Sequence, residues 1–203
     1  MASTLQNGYL IVFEGIDGTG KSTQLKLLAD FLRNRGHRVV ETREPTDGPY
    51  GRKIRQHFAN RSQLSLEEEL ELFIDDRRHH VEELITPELA RGSVILCDRY
   101  YLSTGAYQGA AGLNVDDILK KNSFAPPPDL AIFLTAPIAT GIERITSGRG
   151  ETLNDFEQEE SLTRVAELFD QMAFPYIRRI DATGTINQIH QAVCRSVLSM
   201  LEL

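Results

Sequence analysis

Cysteine is scarce, positive charge is outnumbered, and no long apolar run interrupts the chain. The 203 residues include two cysteines, Cys97 and Cys194, too few for a disulfide framework and suited to a reduced, cytoplasmic interior. Cys97 sits in the apolar run Ser93-Val94-Ile95-Leu96 and reads as a small buried hydrophobe rather than a reactive thiol. A net charge of −7 removes the broad basic footprint that DNA or RNA binding needs, so nucleic acid is not an expected partner. Any polyanion handled by this chain is small and held in a local pocket. No stretch reaches the roughly 20 apolar residues of a membrane span, and the opening Met1-Ala2-Ser3-Thr4-Leu5-Gln6-Asn7-Gly8 shows no signal-peptide pattern. Neither a membrane nor a secretory route is expected. Repeats, low-complexity tracts and linkers are also missing, which leaves one domain over residues 1–203 as the expectation.

What is present is an alternation. Apolar, β-branched runs at 9–14, 38–43, 93–98, 130–135 and 177–181 are separated by helical patterns. Near-continuous apolar strands divided by helices predict an α/β fold, a five-stranded parallel sheet with helices on both faces. Residues 64–90 read helical through most of their length, with Glu67, Glu68, Glu69 and Glu71 loading the start, where negative charge suits the helix dipole. Pro126-Pro127-Pro128 stops any helix before the fourth strand.

The first strand runs into Gly15-Ile16-Asp17-Gly18-Thr19-Gly20-Lys21-Ser22, which matches G-x-x-x-x-G-K-[ST], and an amphipathic helix pattern follows. This is the strand–loop–helix context of a P-loop. Backbone N–H groups and the helix N-terminus make an anion site, with Thr23 on the first helical turn. Lys21 reaches β/γ-phosphates, and Ser22 offers its hydroxyl to Mg²⁺. Nucleotide phosphate with Mg²⁺ is therefore the expected ligand, although P-loops serve GTPases, ATPases, transporters and small-molecule kinases, so the motif alone does not name a reaction. A Ras-like GTPase would need a later N-K-x-D, which the sequence lacks, and Asp181-Ala182-Thr183-Gly184 follows the last strand, where a D-x-x-G switch does not belong.

The third strand ends Asp98-Arg99-Tyr100-Tyr101-Leu102-Ser103-Thr104-Gly105-Ala106-Tyr107-Gln108. Carboxyl ends of parallel strands face the ligand crevice, so Asp98 is placed as a Walker-B-like carboxylate and Arg99 toward the phosphates, unless the two form a purely structural ion pair. Arg43, at the end of the second strand, is placed beside the same crevice to hold an acceptor phosphate. Phe73 and Arg77 lie four apart on one helical face. Alone they also fit a core Phe beside a surface Arg.

These segments, in this order, closely resemble the thymidylate kinase family of P-loop nucleoside monophosphate kinases. The likeness rests on Glu14 to Thr23, on Thr42-Arg43-Glu44-Pro45-Thr46-Asp47-Gly48, on Leu72-Phe73-Ile74-Asp75-Asp76-Arg77, on Asp98 to Gln108, and on an arginine-containing loop after the fourth strand. It implies ATP-dependent phosphorylation of dTMP to dTDP by a homodimer. Phe73 would stack thymine and Arg77 would donate to a base carbonyl. Asp17 would accept from the sugar 3′-OH, Tyr107 would pack beneath deoxyribose, and Ser103 and Gln108 would line the base pocket. The alternatives left open are a kinase for another nucleoside monophosphate or deoxynucleoside, and a nucleotide-binding switch without turnover.

The chain also departs from the family pattern. One branch carries an arginine in the P-loop where Gly18 stands, so the missing charge is expected from a mobile LID loop at about 146–156. Arg149, between Gly148 and Gly150, is its candidate catalytic cation, and Arg144 is expected to pack against adenine. Asn154-Asp155-Phe156-Glu157 is acidic where many bacterial members are basic, and Asp47 occupies a loop that is often glycine-rich.

Overall fold

The computed structural model describes residues 8–58, 64–149 and 159–201, with 147–149 as backbone only. Its sheet holds five strands: β1 (Tyr9–Glu14), β2 (Val39–Arg43), β3 (Val94–Asp98), β4 (Leu130–Thr135) and β5 (Ile177–Asp181). The order is β2-β3-β1-β4-β5, and every pairing is parallel. This is the expected α/β architecture. The central strands are buried along nearly their whole length, whereas edge strand β5 has only two of its five residues buried. Strands covered on both faces need continuous apolar sequence, and edges do not.

The pleat divides the core in two. Leu10, Val12, Ile95, Cys97, Ala131 and Phe133 face one side, while Ile11, Phe13, Val94, Leu96, Ile132 and Leu134 face the other, as period-two alternation requires. The second side is covered by α1 (Lys21–Arg33) and α9 (Ile186–Met200), through Leu25, Leu28, Ala29 and Leu32 on one helix and Ile189, Val193 and Val197 on the other. The first side is covered by α5 (Tyr101–Ala110) and α8 (Glu159–Gln171), with Leu102, Ala106, Leu162, Val165 and Phe169 inserted. Each fully buried Leu, Ile or Phe contributes about 1.5–3 kcal/mol, so the two packed faces dominate stability. Cys97 is fully buried among them, as its sequence neighbours imply.

The remaining helices are α2 (Pro49–Phe58), α3 (Leu66–His80), α4 (Thr86–Ala90), α6 (Val115–Lys121) and α7 (Ile138–Arg149), with a π-helical turn at Val81–Ile85 between α3 and α4. A capping box starts α3: the Ser65 hydroxyl accepts from Glu68 N–H, and the Glu68 carboxylate accepts from Ser65 N–H at 2.8 Å. The chain visits β2 and β3 on one side of β1 before crossing to β4, so the order reverses at β1. Ligands bind outside the carboxyl ends of strands at such a point. α7 carries helical backbone through Arg149, which corrects the expectation of a loop from residue 146. The remainder of that segment, 150–156, lies outside the described residues. Among the described residues no helix is long and apolar enough to cross a membrane.

Candidate active site

The loop between β1 and α1 is shaped by three glycines with positive φ: Gly15 (+129°), Gly18 (+79°) and Gly20 (+91°). A Cβ on Gly15 would stand 2.4 Å from the Leu134 carbonyl oxygen, and one on Gly18 would stand 2.2 Å from that of Gly141. Backbone presses on the loop from β4 and from α7, so no side chain fits at either place. Gly18 is thus favoured by packing and by its backbone, and a side chain there would have to displace Gly141. α1 begins at Lys21 with Gly20 as its cap, no side-chain cap bond and no acidic residue in the first turn. Its leading N–H groups remain available to an anion.

Lys21 folds back over the loop, donating from Nζ to the carbonyls of Gly15 (3.0 Å) and Ile16 (2.8 Å). Burial and the neighbouring Arg99 guanidinium push its amine down to about 8, against the pull of Asp17, Asp98 and Glu14. Ser22 Oγ donates to Asp98 Oδ2 at 2.5 Å, so the two oxygen ligands expected for Mg²⁺ sit side by side. Hard oxygen donors few in number suit that ion, which completes its shell with phosphate and water. Among the described residues no group of three or more His, Cys, Asp or Glu is placed to hold a metal ion.

Arg99 is the one non-glycine residue with positive φ (+70°) among those described. Its N–H donates to the Phe13 carbonyl at 2.9 Å, tying the end of β3 to β1. The guanidinium pairs with Asp17 Oδ1 at 2.6 Å and donates to Ser103 Oγ (3.1 Å) and Tyr107 Oη (3.3 Å). It also lies 4.9 Å from the Tyr107 ring centre. Tyr107 Oη in turn donates to Asp17 Oδ2 at 3.0 Å. Burial would raise the Asp17 carboxyl, but Arg99 and Lys21 outweigh it and hold the group well below the usual carboxylate range. Behind this triangle, Glu14 is fully buried. It accepts from the Tyr100 N–H at 3.0 Å and from the Ser103 hydroxyl, closing the start of α5. Burial pushes its carboxyl up to about 7, against the opposing effects of Ser103 and Arg99.

Asp17, Gly18, Thr19, Gly20, Lys21, Ser22, Thr23, Arg43, Asp98, Arg99 and Arg144 line one crevice of about 510 Å³. The structure therefore brings together most residues singled out in the sequence. Arg43 Nη2 pairs with Asp47 Oδ1 at 2.8 Å, and Arg55 reaches the same carboxylate at 2.9 Å. Arg144 Nη1 donates to the Ala182 carbonyl at 3.0 Å. At that end of the crevice stand Gly184, Ile186 and Ile189.

Phe73, Arg77 and Gln108 form a second group, between α3 and α5. Phe73 is half-buried, 6.4 Å from the Phe58 ring. Arg77 is only 1 % exposed, which overturns the picture of a surface arginine. Nε and Nη2 donate to Glu44 Oε2 at 2.9 and 2.6 Å, Nη1 to Asn122 Oδ1 at 2.5 Å, and Nη2 also to Thr104 Oγ1 at 2.9 Å. Glu44 Oε1 meets His80 Nδ1 at 2.9 Å, and His80 Nε2 meets Thr42 Oγ1 at 2.7 Å. Burial would raise the Glu44 carboxyl, yet Arg77 and His80 hold it low. Glu44 also lines the crevice, so it links the two groups. Sequence reasoning gave no role to Glu44, Glu14 or Thr104, although each lies inside or next to a motif segment. It also passed over Gln24, one turn beyond Lys21, which lines the crevice and donates from Nε2 to the Ile186 carbonyl at 3.0 Å.

Comparison with known proteins agrees with this geometry. A family model described as "Thymidylate kinase" matches residues 13–193. A thymidylate kinase of Desulfotalea psychrophila is 52% identical over 196 residues, covering 97% of this chain and 97% of that protein. Thymidylate kinases of Xylella fastidiosa and Xanthomonas campestris pv. campestris are each 44% identical, covering 97% of this chain and 89% and 87% of their own lengths.

Proposed function

The chain belongs to the thymidylate kinase family, and we infer that its crevice moves the γ-phosphoryl group of ATP onto dTMP, giving dTDP. The observation that carries this reading is the convergence of Lys21, Arg43, Arg99 and the Ser22–Asp98 pair on one cavity at the carboxyl ends of β1, β2 and β3. Two polyanions must be brought into contact there. At 4 Å and an effective dielectric near 20, each pair of unit charges is worth about 4 kcal/mol. Fixed cations between donor and acceptor offset that repulsion, and in-line positioning supplies most of the rest.

In this reading the 15–22 loop and the α1 N-terminus cradle the ATP phosphates, Lys21 spans the β/γ pair, and Arg144 packs against adenine. Ser22 and Asp98 would hold Mg²⁺, which would supply positive charge to offset that of the phosphates. Arg99 and Arg43 receive the acceptor phosphate. Since that phosphate is already an anion, no strong general base is needed. Asp17 accepts from the sugar 3′-OH and Tyr107 packs under the deoxyribose. Phe73 stacks the base, with Arg77, Ser103 and Gln108 around its polar edge. Arg149 is the cation that completes the site on closure. A cytoplasmic homodimer belongs to the same reading and is carried over from the family.

A coupled assay of ADP release with dTMP, dUMP, UMP, CMP and thymidine tests it. The highest kcat/KM is expected for dTMP, and no turnover for thymidine, which brings no acceptor phosphate. Preference for a ribonucleotide, or nucleotide binding without any dTMP-dependent ADP release, would refute it.

A further inference from the structure

Two polar rungs cross the gap between α3 and α5. At one, Arg77 Nη2 donates to Thr104 Oγ1 at 2.9 Å. At the other, Gln108 Nε2 donates to Glu69 Oε1 at 2.9 Å. Glu69, Phe73 and Arg77 recur every fourth residue on α3 and share one stripe, as Thr104 and Gln108 do on α5. Phe73 stands between the rungs, about 6 Å along the helix from each. Its ring, half-buried, thus has a polar rung about one helical turn away on either side.

Gln108 is 1 % exposed, and its Oε1 is buried with no hydrogen-bond partner among the described residues. A buried carbonyl oxygen without a donor is costly, and such a group in a binding region points to a donor brought by a ligand. Its orientation has a cause. A carboxylate only accepts, so Glu69 obliges the Gln108 amide to turn its NH₂ group toward α3 and its oxygen away. While Glu69 holds it, the amide cannot exchange ends.

We propose that Glu69 is a positioning residue for base choice: by fixing the Gln108 amide it presents an acceptor, never a donor, to the pyrimidine over Phe73. An imide base such as thymine or uracil answers with its N3–H. Cytosine would set its N3 lone pair against the same oxygen, leaving both unpaired. The inference rests on the proposed base site of this kinase and adds the reason why that site takes imide bases.

Steady-state kinetics with ATP and dTMP, dUMP or dCMP test it on the full chain. Glu69→Gln keeps size and helix position but lets either end of either amide face the other. The dTMP:dCMP ratio of kcat/KM should fall about tenfold or more, since sites built to pair a substrate N–H discriminate by such factors. The loss should lie in KM for dTMP, with kcat and KM for ATP near wild type. The dTMP:dUMP ratio should not move, because both bases carry N3–H. Glu69→Ala should act in the same direction, and thermal melting confirms that both variants are folded. The swap Glu69→Gln with Gln108→Glu puts the donor on α3 and a carboxylate on α5, so the leftover oxygen is again an acceptor and dTMP preference returns. An unchanged dTMP:dCMP ratio in both single variants overturns the proposal, as does a swap no more selective than they are. An equal fall in dTMP:dUMP would mark general loosening and overturn it too. A wild-type enzyme inactive on dTMP would instead overturn the proposed function beneath it.

Discussion

ATP binding should draw a proton from solution at mildly alkaline pH, and Lys21 should be where it goes. In the crevice the amine is held at about 8, down from 10.5, by burial and by Arg99. At pH 8.5 a group with that value is about three-quarters neutral, and at pH 7 about one-tenth neutral. Triphosphate charge set against Nζ favours the ammonium and returns its pKa toward the ordinary range. Binding at pH 8.5 should therefore take up about 0.75 proton per site, falling to about 0.1 at pH 7. By the same linkage, ATP affinity at pH 8.5 should be about fourfold below that at pH 7, and each further unit should cost close to tenfold. Glu14, near 7, is already ionised at pH 8.5 and adds almost nothing. Titration calorimetry in two buffers of different ionisation enthalpy reads the uptake directly. Lys21→Met should abolish it. Equal enthalpies in the two buffers at pH 8.5 would refute the argument, and so would an uptake that survives in Lys21→Met.

Glu14→Gln should flatten the pH dependence of stability. The Glu14 carboxyl is raised from 4.5 to about 7, so its contribution is complete below pH 4.5 and lost as pH rises through 7. The stability difference between wild type and variant should change by roughly 3 kcal/mol across that window, measured by denaturant melts at pH 4.5 and 7.5; parallel curves would refute it. Gly18→Ala should lose at least about 1–2 kcal/mol from its left-handed backbone alone, before any displacement of Gly141, and a melting temperature unchanged from wild type would show that the loop yields. Phe73→Ala and Arg77→Ala should part company. Phe73→Ala should raise KM for dTMP with little loss of stability. Arg77→Ala leaves the Glu44 carboxylate buried without its main partner and should cost about 3–5 kcal/mol in stability as well. Similar melting temperatures for the two variants would contradict the buried network.

The strands at 9–14, 130–135 and 177–181 were legible to the residue because their patterns are strong and turn signals flank them. The edge strand β2 begins one residue later than read, at Val39. The 146–156 segment was misread at its start because two glycines in three residues look like a loop. One glycine inside a helix costs only about 1 kcal/mol, which the rest of α7 absorbs through Gly148. The glycine-loop end of the crevice was legible for a different reason: its residues are local in sequence, seven of them between Asp17 and Thr23. The partners of Arg77 between α3 and α5 were not, because those pairings are long-range. Arg77 finds Glu44 33 positions away, Asn122 45 away and Thr104 27 away, and no periodicity announces such partners.

Arg99 shows what a motif conceals. The sequence places an arginine after an aspartate at a strand end, and nothing in that pair foretells a left-handed backbone at +70°. For a non-glycine residue that conformation costs about 1–2 kcal/mol. It persists because the site over-determines it: the N–H is tied to Phe13, and the guanidinium is shared by Asp17, Ser103 and Tyr107. Ser103 is held in its turn by the buried Glu14 carboxylate, which also takes the Tyr100 N–H. The strain therefore buries the strand's end and turns the side chain into the crevice in one step. A cation fixed this way needs no reorganisation when an anion arrives, and preorganised charge is where electrostatic catalysis gains most. Glu14 thus belongs to the network that holds the crevice as much as the arginine it indirectly supports, although it is not itself among the residues lining the cavity.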